Sequence, residues 1–335
     1  MADIQSTSNP SSSHQALYKH NGVSTNLLHQ KHREETVELR KKKRDDSFAR
    51  TRRLLELSRD QVVEPALRSV FDQDLINDLT STDDERVFLA LQTYARLFSS
   101  SECVDQMHEI ELVKVIVEIF MRSEPFTSME SVCVIVLSKL SNDFDRITCF
   151  LNAGVISKLI NSFGSTNLES LEHAVFLLEE IVRHDSNTRS ICTNLEILPA
   201  SVKLYLNYDQ LSLRRQILTL ICNYFDFEVP LYEISKELLE FLHYVILNEA
   251  DELLLSDAFD ILTKITQFSS LHANLLVNDG FLGEAISFLN GDVAHSCMMF
   301  VKAIASYGEE HIKVLADLGY LEQIWNIASS TGNST

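Results

Sequence analysis

The sequence NAGVI at residues 152–156 recurs as NDGFL at 278–282 and as DLGYL at 317–321. A fourth copy, NLEIL at 194–198, has Glu196 where the others have glycine. In chain order the central positions lie 42, 84 and 39 residues apart, close to multiples of about 42, which is a typical length for a helical repeat. A glycine suits a left-handed residue at a turn between two helices, where a Cβ atom would cost energy. The spacing therefore predicts a protein built from repeats.

Each predicted repeat contains one strongly apolar helix. A helix of this kind can bury a wide face only against the neighbouring repeats, so the repeats are expected to stack into a solenoid. We predict an all-α fold with about six repeats between residues 80 and 328. The six apolar helices are predicted at residues 86–98, 131–141, 172–184, 213–224, 254–266 and 296–306.

The composition excludes several other classes of protein. Only 9 Gly and 5 Pro occur in 335 residues, too few for the turns of a β-sandwich or barrel. There is no glycine-rich phosphate loop, no GxSxG or HExxH motif, and no CxxC pair among the 6 Cys. The sequence therefore predicts no enzyme, no cofactor or metal site and no small-molecule substrate. The apolar stretches are broken by charges, so no membrane span is predicted.

The net charge of −19 is unevenly distributed. Residues 1–60 contain 12 basic and 8 acidic residues, a net charge of +4, whereas the remainder contains 17 basic and 40 acidic residues, a net charge of −23. Opposite charges on two parts of one chain permit self-association or direct the two parts to different partners. We divide the chain into a disordered tail at 1–16, a basic segment at 17–60, a linker at 61–79, repeats at 80–328 and a disordered end at 329–335.

The basic segment contains ten Lys and Arg residues between Lys31 and Arg53 and is predicted to be helical. Glu38 precedes Lys42 by four positions and Asp46 precedes Arg50 by four, an order that stabilises a helix. Three interpretations stay open: a solvated charged helix, a nucleic-acid-binding helix, and a helix that recognises an acidic protein surface. Nucleic acid is disfavoured because Phe48 is the only aromatic residue in the basic run and the body is acidic.

The order of motifs in this segment resembles the importin-β-binding segment of the importin-α (karyopherin-α) family. The resemblance rests on YKHNG at 18–22, KHR at 31–33, VELRKKKRDD at 37–46 and RTRR at 50–53. It implies importin β as a partner. It also implies that the 41–44 and 50–53 runs can imitate cargo by folding back on the chain's own groove. The residues implied for importin-β binding are Lys31, Arg33, Arg40, Lys41, Lys42, Lys43, Arg44, Arg50, Arg52 and Arg53.

The repeats extend the resemblance, which implies an armadillo-repeat, right-handed superhelical solenoid, shorter than is usual in the family. In that family the innermost helix of each repeat presents a Trp and, one turn later, an Asn, which together hold a basic localisation signal. Here the only Trp is Trp325, outside that region. The corresponding pairs, aligned to within one residue, are Ile135 with Lys139, Phe176 with Glu180, Leu218 with Cys222, and Asp260 with Lys264.

These pairs predict a groove with degenerate signal pockets. Phe176 alone keeps a ring, and the lysines would repel a basic peptide, whereas Glu180 and the nearby Asp185 would attract one. The alternative for Phe176 is a core aromatic residue, and for the acidic residues it is an ordinary solvated face.

Together these features predict a nuclear import adaptor. It would bind importin β through the basic segment and a cargo protein with a basic or atypical signal through the concave face. It would shuttle between cytoplasm and nucleus and could be found at the nuclear envelope or pore. The alternative is an armadillo scaffold, or a protein that occupies importin β, without binding localisation signals.

Overall fold

Helices account for the regular structure in the part of the chain that the computed structural model describes, namely residues 72–99, 110–141 and 143–332. The predicted tail and basic segment lie outside these ranges. The helices, numbered in chain order, are α1 (Gln73–Leu79), α2 (Asp84–Leu97), α3 (Ile110–Arg122), α4 (Ser128–Leu140), α5 (Phe144–Asn152), α6 (Val155–Ser162), α7 (Leu168–Val182), α8 (Ser186–Asn194), α9 (Ile197–Asn207), α10 (Leu211–Tyr224), α11 (Lys236–Asn248), α12 (Glu252–Phe268), α13 (Ser270–Asp279), α14 (Phe281–Ala285), α15 (Ala294–Ala305), α16 (Glu309–Asp317) and α17 (Tyr320–Gly332).

Many helix starts are fixed by a capping side chain. In these cases a short polar side chain accepts a hydrogen bond from an amide of the first turn, which stabilises the helix by about 1 kcal/mol. The residues that cap in this way are Asp72, Asp83, Thr127, Asp143, Asn167, Asp185, Ser235 and Asp251.

The repeated glycines lie at the predicted turns between helices. Gly154, Gly280 and Gly319 have φ values of 75°, 100° and 85°, and each directly precedes a helix. Glu196 occupies the equivalent position before α9 with φ 56°, so the fourth copy adopts the left-handed conformation without a glycine. A non-glycine residue there is strained because its Cβ approaches the following carbonyl oxygen.

We expect Glu196→Gly to raise the free energy of unfolding by about 0.5–1 kcal/mol, because it removes this strain while making the unfolded chain more flexible. Gly154→Ala is the matched opposite change, since a Cβ there would meet no atom within 4 Å and would add only backbone strain. It should destabilise by about 1 kcal/mol. Urea unfolding of both variants tests the prediction, which is wrong if Glu196→Gly is the less stable chain.

Six helices pack against one another in sequence order and form one layer of the solenoid. Contacts join α2 to α4, α4 to α7, α7 to α10, α10 to α12 and α12 to α15. We call these six helices the ladder. They match the six apolar helices predicted from the sequence to within four residues at each end, which confirms the all-α repeat fold. Their buried faces carry much of the core, including Tyr94, Val134, Leu178, Ile221 and Phe259.

Candidate functional site

The ladder presents a row of half-buried and exposed side chains on its uncovered face. On four successive helices these side chains form pairs four residues apart, the spacing that places two residues on one side of a helix. The pairs are Ile135 with Lys139, Phe176 with Glu180, Thr219 with Asn223, and Asp260 with Lys264.

The structure corrects the predicted pair on α10. Leu218 is fully buried and packs in the core, so it cannot line a surface. Thr219 and Asn223, one position later, take the two surface places. Cys222 is half-buried beside Asn223, burial raises the pKa of its thiol, and its carbonyl oxygen accepts a hydrogen bond from Lys264 Nζ at 3.2 Å.

A cavity of about 440 Å³ opens on the ladder where α4 faces α7. Phe176 forms part of its wall, with 37 % of the residue exposed. The cavity is lined by Phe98, Ser138, Lys139, Ser141, Glu172, His173, Phe176, Glu180 and Gln216.

The α7 side of this cavity is rich in hydrogen-bond acceptors. Glu172 Oε1 accepts a hydrogen bond from the Ser212 hydroxyl. Glu180 Oε1 lies 3.4 Å from the mostly exposed Arg183 guanidinium, a loose surface contact. The Gln216 side-chain oxygen is buried and has no hydrogen-bond partner in the described part of the chain. This side can therefore receive a ligand group that carries several N–H donors.

The α4 side carries the positive charge. Lys139 Nζ donates to Ser99 Oγ at 2.7 Å, and no carboxylate among the described residues comes within ion-pair distance of it. Burial lowers the pKa of Lys139, although Glu169 opposes the change. His173 adds no positive charge near neutral pH, because burial and the nearby Lys139 lower its pKa to about 4.

The half-buried His173 makes stability depend on pH. The unfolded His173 takes up a proton near its ordinary pKa of 6.5, whereas the folded form takes it up only near 4, so stability is lost as pH falls through that interval. Between pH 7.5 and pH 4.5 the loss is about 2–3 kcal/mol from this one group. His173→Gln should lose that much less stability than the native chain over the same interval, as measured by urea unfolding at both pH values. An equal loss in the two chains would contradict the prediction.

Further along the ladder, polar side chains of adjacent repeats bind each other. Asn223 Nδ2 donates to Glu179 Oε1 at 2.9 Å, which joins α10 to α7. Lys264 pairs with Asp226 and so joins α12 to α10. On α12, the pKa of Asp257 is raised to about 6, mainly by burial and also by the neighbouring Asp260 and Asp251, against the effect of Arg215.

Asp185 lies just beyond the end of α7 and caps the start of α8. Its Oδ1 atom accepts from the Thr188 amide at 2.6 Å and its Oδ2 atom lies 3.1 Å from His184 Nδ1, so both oxygens are engaged at the start of α8. The hydrogen bond from Thr188 is the main reason that the pKa of Asp185 is lowered. Asp185 is thus a helix cap whose side chain is 43 % exposed, and its predicted place in the groove stays a prediction.

Two comparisons with known proteins bear on this arrangement. Residues 14–101 match the family model of the importin beta binding domain. The match begins near the end of the predicted tail, includes the whole ten-residue basic run and extends through α2, the first ladder helix. In the sequence, the matched region therefore overlaps the first helix of the ladder.

Solved structures similar to the chain include engineered proteins, several of them armadillo repeat proteins. The crystal structure of one engineered protein matches with a TM-score of 0.63 at 20 % identity, over 73 % of this chain and 61 % of that one. Computationally designed armadillo repeat proteins for modular peptide recognition match with a TM-score of 0.59 at 17 % identity, over 69 % and 98 %. A designed armadillo repeat protein in complex with the peptide (KR)4 matches with a TM-score of 0.58 at 17 % identity, over 69 % and 98 %.

These findings support an importin-α-like protein. The structural likenesses show the armadillo fold, and the family model supplies the importin beta binding domain. The matched domain and the armadillo fold together are the features of a non-enzymatic adaptor family. None of the described helices is both long enough and apolar enough to span a membrane.

The structure brings Lys139, Phe176 and Glu180 together around one cavity, whereas Asp260 lies two ladder helices further along. Ile135 is half-buried on α4, one turn before Lys139. Sequence reasoning missed Glu172, His173 and Gln216, which line the same cavity. Their spacing of three and four residues from Phe176 and Thr219 is the signal that could have placed Glu172, His173 and Gln216 on the ladder face. The ten basic residues predicted to bind importin β lie outside the described residues.

Proposed function

We propose that this chain is a nuclear import adaptor that carries importin β on its N-terminal basic segment and a cargo peptide on the ladder. The observation that carries the proposal is the importin beta binding domain match at residues 14–101, which runs into the first ladder helix. One chain thereby offers two binding surfaces of opposite charge. Such an adaptor would shuttle between cytoplasm and nucleus with its carrier.

The basic segment suits an acidic carrier surface. Its Lys and Arg residues would lie along one extended helix, and each charge that meets a carboxylate on the partner strengthens binding and speeds association. We therefore assign importin-β contact to the VELRKKKRDD run at residues 37–46 and the basic positions around it.

A pull-down with importin β tests the first half. Reversing the charges at Arg40, Lys41, Lys43 and Arg44 to Glu should weaken binding by at least about 100-fold, since several charge-assisted contacts are lost and replaced by repulsion. A control with the same change of net charge reverses exposed residues of the body, namely Arg122, Lys203, Lys236 and Lys313. If both quadruple variants bind importin β equally, the assignment of the basic run fails.

The cavity at Phe176 supports the second half. A cation placed over a half-exposed phenylalanine ring gains about 0.5–2 kcal/mol, and Glu180 and Glu172 add negative charge beside it. Extended concave solenoid surfaces suit extended peptides. One of the similar structures is a designed armadillo repeat protein in complex with the peptide (KR)4, which supports a peptide-binding role for the ladder.

The main alternative is a scaffold that occupies importin β without carrying cargo. It is favoured by Lys264, because this residue pairs with Asp226 and so places a cation on the ladder between α10 and α12. The two functions differ in whether importin β, the full chain and an arginine-containing peptide form a ternary complex in size-exclusion chromatography. A complex that always excludes the peptide would favour the scaffold.

A further inference from the structure

The cavity at Phe176 has walls of opposite charge, and this suggests what kind of peptide it accepts. We propose that it selects cargo segments in which one arginine is accompanied by an Asp or Glu about three residues away, in preference to an uninterrupted run of Lys and Arg. The inference rests on the proposed cargo function of the ladder and names its ligand class.

The α7 wall fits an arginine side chain. The half-exposed face of Phe176 can stack on a planar guanidinium, and the carboxylates of Glu172 and Glu180 can accept its N–H groups. The buried, unpartnered oxygen of Gln216 offers a further acceptor at the same cavity. A guanidinium has five donors that can reach dispersed acceptors, whereas an ammonium group is a compact charge with three.

The α4 wall disfavours a second cation. Lys139 lines the same cavity and has no carboxylate within ion-pair distance among the described residues. Among the described residues its ammonium group donates to the neutral hydroxyl of Ser99, and Glu169 acts on it only from beyond ion-pair distance, so its charge is only partly compensated. A peptide carboxylate beside the bound arginine would provide that compensation, and a lysine in the same place would be repelled.

The spacing of the two charges follows from helix packing. Neighbouring packed helices lie about 8–10 Å apart, and an extended peptide advances about 3.3 Å per residue. One step along the ladder therefore corresponds to about three peptide residues. Lys139 on α4 and Glu180 on α7 are separated by one such step.

The next position along the ladder does not provide a free acidic pocket. The Glu179 carboxylate is already bound by the Asn223 amide, and Lys264 lies beyond it, paired with Asp226. Asp260 is exposed on α12, two steps from Phe176, which corresponds to about six peptide residues. A seven-residue peptide with a central arginine is thus too short to reach Asp260 and reports on the cavity alone.

The test uses four seven-residue peptides with a dye of zero net charge, read by fluorescence anisotropy on the full chain, with and without importin β. One has a single central Arg in an Ala/Ser background. Two add Asp three positions before or after the Arg, and the fourth carries the central run Lys-Lys-Arg-Lys. We expect one of the two Asp peptides to bind about three-fold more tightly than the single-Arg peptide, and the basic run to bind no more tightly than it.

Variants at Lys139 test whether the charge of this residue causes the preference for the Asp peptides. Lys139→Gln should reduce the ratio between the Asp and single-Arg affinities to about one, and Lys139→Glu should make the basic run the tightest of the four. Lys203→Gln, an exposed residue on α9, is the control and should leave the ratio unchanged.

The outcomes distinguish this inference from the proposed function. If the basic run binds most tightly to the native chain, or if the ratio survives Lys139→Gln, the inference is wrong and cargo binding stands. If importin β binds and none of the four peptides does, the cargo role and the inference fail together.

Discussion

Replacing Glu233 by alanine is expected to lower the free energy of unfolding by about 3–5 kcal/mol. Glu233 follows α10 in a short 3₁₀ turn and pairs with Arg189 of α8 at 3.0 Å, with 14 % and 8 % of the two side chains exposed. The same carboxylate also contacts the hydroxyls of Thr193 and Tyr224 at 3.3 Å. Its removal leaves the Arg189 guanidinium buried and unpaired, which is the costly result of breaking a buried ion pair.

A surface ion pair provides the matched control for this change. Glu240 pairs with Lys236 on α11, but their side chains are 63 % and 83 % exposed, so Glu240→Ala should cost about 0.5 kcal/mol or less. The double variant Arg189→Met, Glu233→Leu should recover most of the stability, because it removes both charges together. Urea unfolding monitored by circular dichroism gives the three values. Equal losses for Glu233→Ala and Glu240→Ala would contradict the buried-pair explanation.

Phe259→Ala is expected to destabilise the chain by about 3–5 kcal/mol without altering the surface of the cavity at Phe176. Phe259 is fully buried on α12 and packs against Phe288 and Phe300, with ring centroids 5.5 Å and 6.3 Å away. Alanine would leave a void between two neighbouring repeats.

Phe176→Ala makes the same chemical change at a surface position of the ladder. It should reduce peptide affinity while changing stability little. Its stability cost should be about 1 kcal/mol or less, because the ring is already partly exposed. Its loss of affinity for the single-Arg peptide should be about 3-fold to 30-fold, the value of one cation–π contact. Calorimetric melting and anisotropy measure the two effects, and a Phe176→Ala chain that binds as before would exclude the ring as part of the site.

The repeat architecture could be predicted from the sequence because its signal is periodic and local. The spacing of the turn glycines and of the six apolar helices gives the repeat length. The ladder helices were therefore predicted nearly at their observed bounds. Glu196 was recognised as an equivalent position, but its left-handed conformation was not predicted, because that strain is imposed by packing of the repeats on either side.

The site was predicted less completely, because a stretch such as ILTLI at residues 217–221 is apolar on several faces. A shift of one residue exchanged Leu218 for Thr219, since burial on both sides of a layered helix removes the polar–apolar contrast that sets the register. Which polar groups meet across a step, such as Glu172 and Ser212, depends on the angle at which helices 40 residues apart pack. The packing angle cannot be read from a single sequence, so these contacts between repeats were not predicted.

The side-chain hydrogen bonds between repeats join residues that lie about one repeat apart in the sequence. Ser138 contacts His173, Glu172 contacts Ser212, and Ser256 contacts Ser296, pairs that lie 35, 40 and 40 residues apart. Each contact thus closes a loop of about one repeat, and the entropy lost on closing it is modest. A newly synthesised repeat can therefore lock onto the one before it while the ribosome is still adding the next, so the solenoid can grow from its N-terminal end without waiting for the complete chain.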